Sequence, residues 1–328
     1  MRLIWYVPLV SVVLQLLFVS SVRSDEYRIL FESYRNQNWD LFSMAADGSD
    51  EKNLTNTPEI HELYPQVSPD GSQICFLVDT HQDGKVSRSL WLMNRDGSDR
   101  KQIAEQARHP TWSPDGREIA FAKQEFNRFS VKDYVTKGLY FYDVQTEALQ
   151  KHPNDKIEHI YVPSWAADGK WIISTVHGGM GFGHAIVGIE VEGDRVVDLK
   201  IPGCRPCVSR DGKFVTWSSN DHTVEMADLS FSDQGPAVSN RRIVHRHETL
   251  HLYHPDFSPD SKFVSFSMGP GGRVESVGPG TQTEVAEMTG VYGKWDIYRK
   301  EVGSDAEPLQ LTKNPDTSNK ESEWAVAP

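Results

Sequence analysis

Five times along the chain a proline leads into an apolar residue and then an aspartate-centred turn. The segments are PQVSPDG from Pro65, PTWSPDG from Pro110, PSWAADG from Pro163, PCVSRDG from Pro206 and PDFSPDS from Pro255. The turn aspartates Asp70, Asp115, Asp168, Asp211 and Asp260 stand 43 to 53 residues apart. A period of that length is the signature of a stacked or radial repeat. Within one repeat, Val67, Trp112, Trp165, Val208 and Phe257 are the large apolar residues of a first strand. Asp-Gly then makes a tight hairpin, because glycine accepts positive φ without steric cost. A second strand alternates, as in Ile119-Ala120-Phe121, and a third follows, as in Leu90-Trp91-Leu92-Met93. Another turn, such as Asp96-Gly97-Ser98-Asp99, leads to a short fourth strand ending Gln102-Ile103-Ala104. Four short antiparallel strands with no helical period between them predict one blade of a β-propeller.

The two ends set the blade count. The segment Arg28 to Ser33 matches a second strand with no first strand before it, and Ser322 to Pro328 matches a first strand with no second strand after it. Trp324 stands where Trp112 and Trp165 stand. The last strand is therefore expected to complete the first blade, giving an all-β, single six-bladed propeller closed by its C-terminal strand, which removes a free sheet edge. Two segments lengthen the period: Glu125 to Lys137 in the third blade, and the Gly- and Pro-rich Gly269 to Gly293 in the sixth. Long loops on a rigid scaffold are places where function collects.

The SPDG turn, alternating strand, DG turn and Leu-Thr ending resemble the TolB-type β-propeller repeat, over about residues 27 to 328. The resemblance implies a fold and leaves the activity open, since propellers host many. No counterpart of that family's separate N-terminal domain is expected here. Prolyl-oligopeptidase-type enzymes share a related propeller but add a hydrolase domain, and the chain has no Gly-x-Ser-x-Gly elbow. Oligogalacturonate lyases are also similar. Their resemblance implies a divalent metal held by propeller histidines, although they have seven blades.

Residues 1–24, MRLIWYVPLVSVVLQLLFVSSVRS, place a basic residue before an apolar run that ends at a small residue. This is the pattern of a cleaved secretory signal, so a mature propeller over 25–328 in the periplasm or outside the cell is expected, with an uncleaved tether as the alternative. No other apolar run is long enough to span a bilayer. The net charge of −12 disfavours nucleic acid, whose phosphates need a basic face. Three cysteines are too few for a disulfide scaffold. Cys204-Arg205-Pro206-Cys207 lacks the following His of a haem site and the second pair of a zinc site, and is read as a local disulfide or two free thiols. The run from Gly178 to Gly183 precedes a strand rather than a helix, so it does not make a phosphate loop.

The register of the repeat singles out one ring. The residues before the motif proline are Tyr64, His109, Val162, Arg205 and His254, with Glu321 in the split blade. Four positions before that proline come His61, His159 and His251. First strands are innermost in a propeller, so these side chains are expected at the channel mouth, where they either satisfy hydrogen bonds between blades or bind a small anionic ligand or a protein partner. Arg205 supplies a planar donor fork for a carboxylate or phosphate. The histidines would make binding pH-dependent between about pH 5 and 8. With no catalytic motif in view, the expectation is a monomeric, non-catalytic binding or scaffold module without cofactor. The alternative, by resemblance, is a metal-assisted carbohydrate-active enzyme.

Overall fold

A computed structural model describes residues 26–82, 85–124, 136–270 and 293–327. The leader over 1–24, the core of the 125–137 insertion and nearly all of the 269–293 insertion lie outside the described residues. The chain forms six four-stranded antiparallel sheets arranged as blades. Blade one contains β1 (Tyr27–Arg35), β2 (Asn38–Ala45) and β3 (Lys52–Asn53). Blade two is β4 (His61–Val67), β5 (Gln73–Gln82), β6 (Lys85–Asn94) and β7 (Lys101–Glu105). Blade three is β8 (Ala107–Trp112), β9 (Glu118–Gln124), β10 (Thr136–Asp143) and β11 (Leu149–Lys151). Blade four is β12 (Ile160–Trp165), β13 (Trp171–His177), β14 (His184–Glu190) and β15 (Val196–Asp198). Blade five is β16 (Cys204–Val208), β17 (Phe214–Asn220), β18 (Thr223–Ser232) and β19 (Gly235–Arg246). Blade six is β20 (His251–Phe257), β21 (Phe263–Gly269), β22 (Asp296–Glu301) and β23 (Leu309–Gln310). The final strand, β24 (Ser318–Val326), pairs antiparallel with β1, Trp324 opposite Ile29, and supplies the inner strand of blade one. Ring closure by the C-terminal strand is thus as expected.

The recurrence of the turn from blade to blade has a local cause. In blade two Ser68 Oγ donates to Asp70 Oδ1 (2.6 Å), which also accepts from the backbone N–H of Ser72 (3.0 Å), while Ser68 Oγ accepts from Gln73 N–H (2.9 Å). The same Ser–Asp pairing recurs at Ser113–Asp115, Ser209–Asp211 and Ser258–Asp260. Gly71, Gly116, Gly169 and Gly212 take φ between 71° and 74° in these turns. In blade six Ser261 holds the same left-handed position at φ 59°. The core lies between blades. Ile29, Phe31 and Trp324 of blade one pack with Phe263 and Ile297 of blade six. Inner strands begin on one face, called here the leading face, and end in the S-P-D-G hairpins on the opposite, turn face.

Candidate functional site at the channel neck

Each inner strand carries the same irregularity. The register of β4 on β5 slips between Leu63 and Gln66, and equivalent slips occur at Arg108/Thr111, Tyr161/Ser164, Cys204/Cys207 and Tyr253/Asp256. The β1–β24 ladder slips between Leu30 and Glu32, opposite the Glu321 position. The residue at each bulge is in the left-handed region: Tyr64 (φ 51°), His109 (48°), Val162 (48°), Arg205 (59°), His254 (50°) and Glu321 (53°). Non-glycine residues seldom adopt this conformation, and a following proline ordinarily favours extended backbone. The neighbouring blade holds it. Tyr64 N–H donates to Glu32 Oε2 (2.9 Å), Arg205 N–H to Thr175 Oγ1 (2.9 Å) and Glu321 N–H to Ser267 Oγ (3.0 Å). In blades two to six a proline follows the bulge and has no N–H to strand there, which suits a broken ladder; in blade one Ser322 stands at that place.

The bulge turns one side chain per blade onto the axis. Tyr64 meets His109 and His254 edge-to-face, with centroids 5.4 and 5.9 Å apart. Arg205 Nε donates to His254 Nε2 (3.2 Å), and Glu321 Oε1 lies 3.4 Å from the same nitrogen. All six ring residues are between 1 % and 8 % exposed. The ring is therefore a buried neck that closes the channel, and its expected position at an open mouth is corrected. His61, His159 and His251 do not join it. His61 Nδ1 accepts from Trp39 N–H (3.2 Å), His159 Nδ1 hydrogen-bonds the Gly178 carbonyl (2.9 Å), and His251 packs edge-to-face on His222 (4.9 Å). Among the described residues no group of three His, Cys, Asp or Glu is arranged to hold a metal.

Charge is distributed unequally along the axis. On the leading side of the neck lie Arg108 and Lys320, each one residue before its bulge, and the Arg205 guanidinium, 4.3 Å over the Tyr253 ring. Arg88 forms a buried two-bond pair with Asp79 (2.6 Å each). Lys320 is fully buried 4.9 Å from the Trp39 ring; burial draws its pKa down to about 8, opposed by Glu32 and Glu321. Burial raises Glu32 to about 7 and Glu321 well above the ordinary carboxylate range. Burial first, then the surrounding arginines, hold His109 well below its usual value, and burial and Arg205 do the same to His254. These two imidazoles are held neutral, and the buried groups brought nearest to neutral pH here are Glu32 and Lys320.

On the turn side a second ring, two residues after each bulge, consists of Gln66, Thr111, Ser164, Cys207, Asp256 and Glu323. It lines a chamber of about 50 Å³ beneath the neck, which opens into a vestibule of about 240 Å³ walled by Trp112, Trp165, Phe257 and Trp324. Cys207 Sγ donates to Asp256 Oδ1 (2.9 Å), Trp324 N–H to Asp256 Oδ2 (2.8 Å) and Gln66 Nε2 to Glu323 Oε2 (3.1 Å). Cys204 and Cys207 are separate free thiols, not a disulfide. The bulge at Arg205 sets them apart, Cys204 opposite Ser218 and accepting from Arg205 Nη1 (2.9 Å), Cys207 opposite Thr216. This second ring was within reach of the sequence, since strand residues two apart share a face, but attention to the bulge position alone passes over it.

No family model matches the chain. A curated relative, the uncharacterized peptidase YuxL of Bacillus subtilis, is 26% identical over 211 residues, covering 62% of this chain and 29% of that protein. TolB from Acinetobacter baumannii superposes with a TM-score of 0.65 at 18% identity, over 91% of this chain and 66% of that one. Hydrazine synthase of Kuenenia stuttgartiensis (TM-score 0.63, 13% identity, 92% and 47%) is similar as well. The chain thus spans less than a third of the curated relative it matches and just under two thirds of TolB. In fold, this chain is a TolB-like six-bladed β-propeller.

Proposed function

We propose that the chain is an exported, non-catalytic binding module that takes a small anion or an acidic peptide end at the leading side of the channel neck. The observation that carries this is the set of buried cations, Arg108, Arg205 and Lys320 with the paired Arg88, gathered around carboxyls that burial drives toward neutrality. Cationic side chains gathered on one side of the neck concentrate positive potential there, which favours an anion. Arg205 presents a planar fork suited to carboxylate or phosphate. An overall charge of −12 repels polyanions at long range, which favours a small ligand. Export rests on the leader pattern of residues 1–24.

The test pairs Arg205→Ala with His254→Ala and follows thermal shift with inorganic phosphate, citrate and a peptide ending in glutamate. At least one probe is expected to stabilise the parent and to lose most of that effect in the double variant. Equal stabilisation of both proteins places the site elsewhere. Mass spectrometry of the native protein should begin at Asp25; an intact leader in the membrane fraction replaces secretion with tethering.

A further inference from the structure

We infer that the turn-face vestibule is a second site, which takes a primary ammonium group on an aliphatic stem and seats it among Asp256, Glu321 and Glu323. Three carboxyl groups from two adjacent inner strands, β20 and β24, line one chamber. Glu321 is 3 % exposed and neither of its carboxyl oxygens has a hydrogen-bond partner, although it borders the chamber. A buried acceptor left in that state costs free energy that a donor entering the chamber recovers. Asp256 and Glu323 are already oriented, by Cys207 and Trp324 N–H in one case and Gln66 in the other.

The shape selects an organic cation. A chamber of about 50 Å³ holds a few water-sized groups, enough for an ammonium and the methylene beside it. The wider vestibule beyond it is walled by Trp112, Trp165 and Trp324, surfaces that cover an aliphatic stem and attract the adjoining positive charge. A lysine side chain of a partner peptide, or a free alkylamine, has this form. Arg205 borders the chamber as well, but its guanidinium lies 4.3 Å over the Tyr253 ring, and the ammonium is seated toward Asp256 and Glu323. The axis thus carries two sites of opposite preference, back to back.

The test uses the full mature chain with n-pentylamine, 1-pentanol and calcium chloride as probes in titration calorimetry. Pentylamine is expected to bind and the alcohol, of the same shape without the charge, to bind at least about tenfold more weakly. Asp256→Asn with Glu323→Gln, and separately Glu321→Gln, should each weaken the amine by about tenfold or more. Arg210→Gln removes a cation lining the vestibule while leaving the carboxyls in place, and should strengthen amine binding about two- to threefold. Should the carboxyl variants fold poorly, that gain decides the matter. The Arg205→Ala, His254→Ala protein, which also loses a cation bordering the chamber, should keep or gain amine affinity while losing the anion effect, so failure of the anion site and failure of this one are separately visible. Equal binding of amine and alcohol, amine binding indifferent to all these substitutions, or calcium bound in place of the amine overturns the inference.

Discussion

Glu62 is a carboxyl almost without water. It sits at the start of β4 with 1% side-chain exposure, and its nearest cation, Arg100 Nη1, is 3.4 Å away. Burial raises its pKa to about 8, only partly offset by hydrogen bonds from Thr57 and by Arg100. Glu32 is raised to about 7 by the same cause. For both groups the folded pKa exceeds the unfolded one, so the folded state holds more protons than the unfolded state above about pH 4.5. Their contribution to stability is complete below that pH and is lost as pH rises through about 7 and 8. The unfolding free energy should therefore fall between pH 5 and pH 8, by up to about 1.4 kcal/mol per pH unit for each group, and the melting temperature with it. Glu62→Gln, neutral at every pH, should flatten that slope. A slope unchanged in the variant assigns the titration elsewhere.

At the level of the element, the inner strand decides nearly everything, and its parts were unequally legible. Asp70, Asp115 and their counterparts announced a hairpin, and the Ser–Asp bridge within it explains why serine so often stands two residues earlier. Which residues share the axis followed from counting back from the proline. Their depth did not. A residue before proline reads as extended, and bonds across the blade boundary, such as Thr175 to Arg205 and Glu32 to Tyr64, hold it left-handed. Those partners lie 30 and 32 residues away, so no local pattern announces them. The one place where the turn departs from its own rule gives a direct check. Ser261 occupies a glycine position at φ 59°, which costs an L-residue roughly 1 kcal/mol. Ser261→Gly should raise the melting temperature by a few degrees, less any loss from the freer unfolded chain. A lower midpoint shows that the serine side chain holds the turn.

For the molecule as a whole, closure rests on β24. Trp324 is 1% exposed, edge-to-face with Tyr27 at 6.3 Å and packed beside Phe263 at 6.4 Å, so it joins both termini of the ring to blade six. Trp324→Ala should cost about 3–5 kcal/mol by loss of buried contact and the cavity left behind. Differential scanning calorimetry reads this as a large drop in midpoint, and an unchanged midpoint would show that the clasp carries little of the stability. The same strand brings Glu321 and Glu323 to the chamber and buries Lys320 against the Trp39 ring. Fastener and proposed receptor coincide, so a ligand held at either proposed site would contact the clasp as well, and opening of blade one would be opposed by the free energy of that binding.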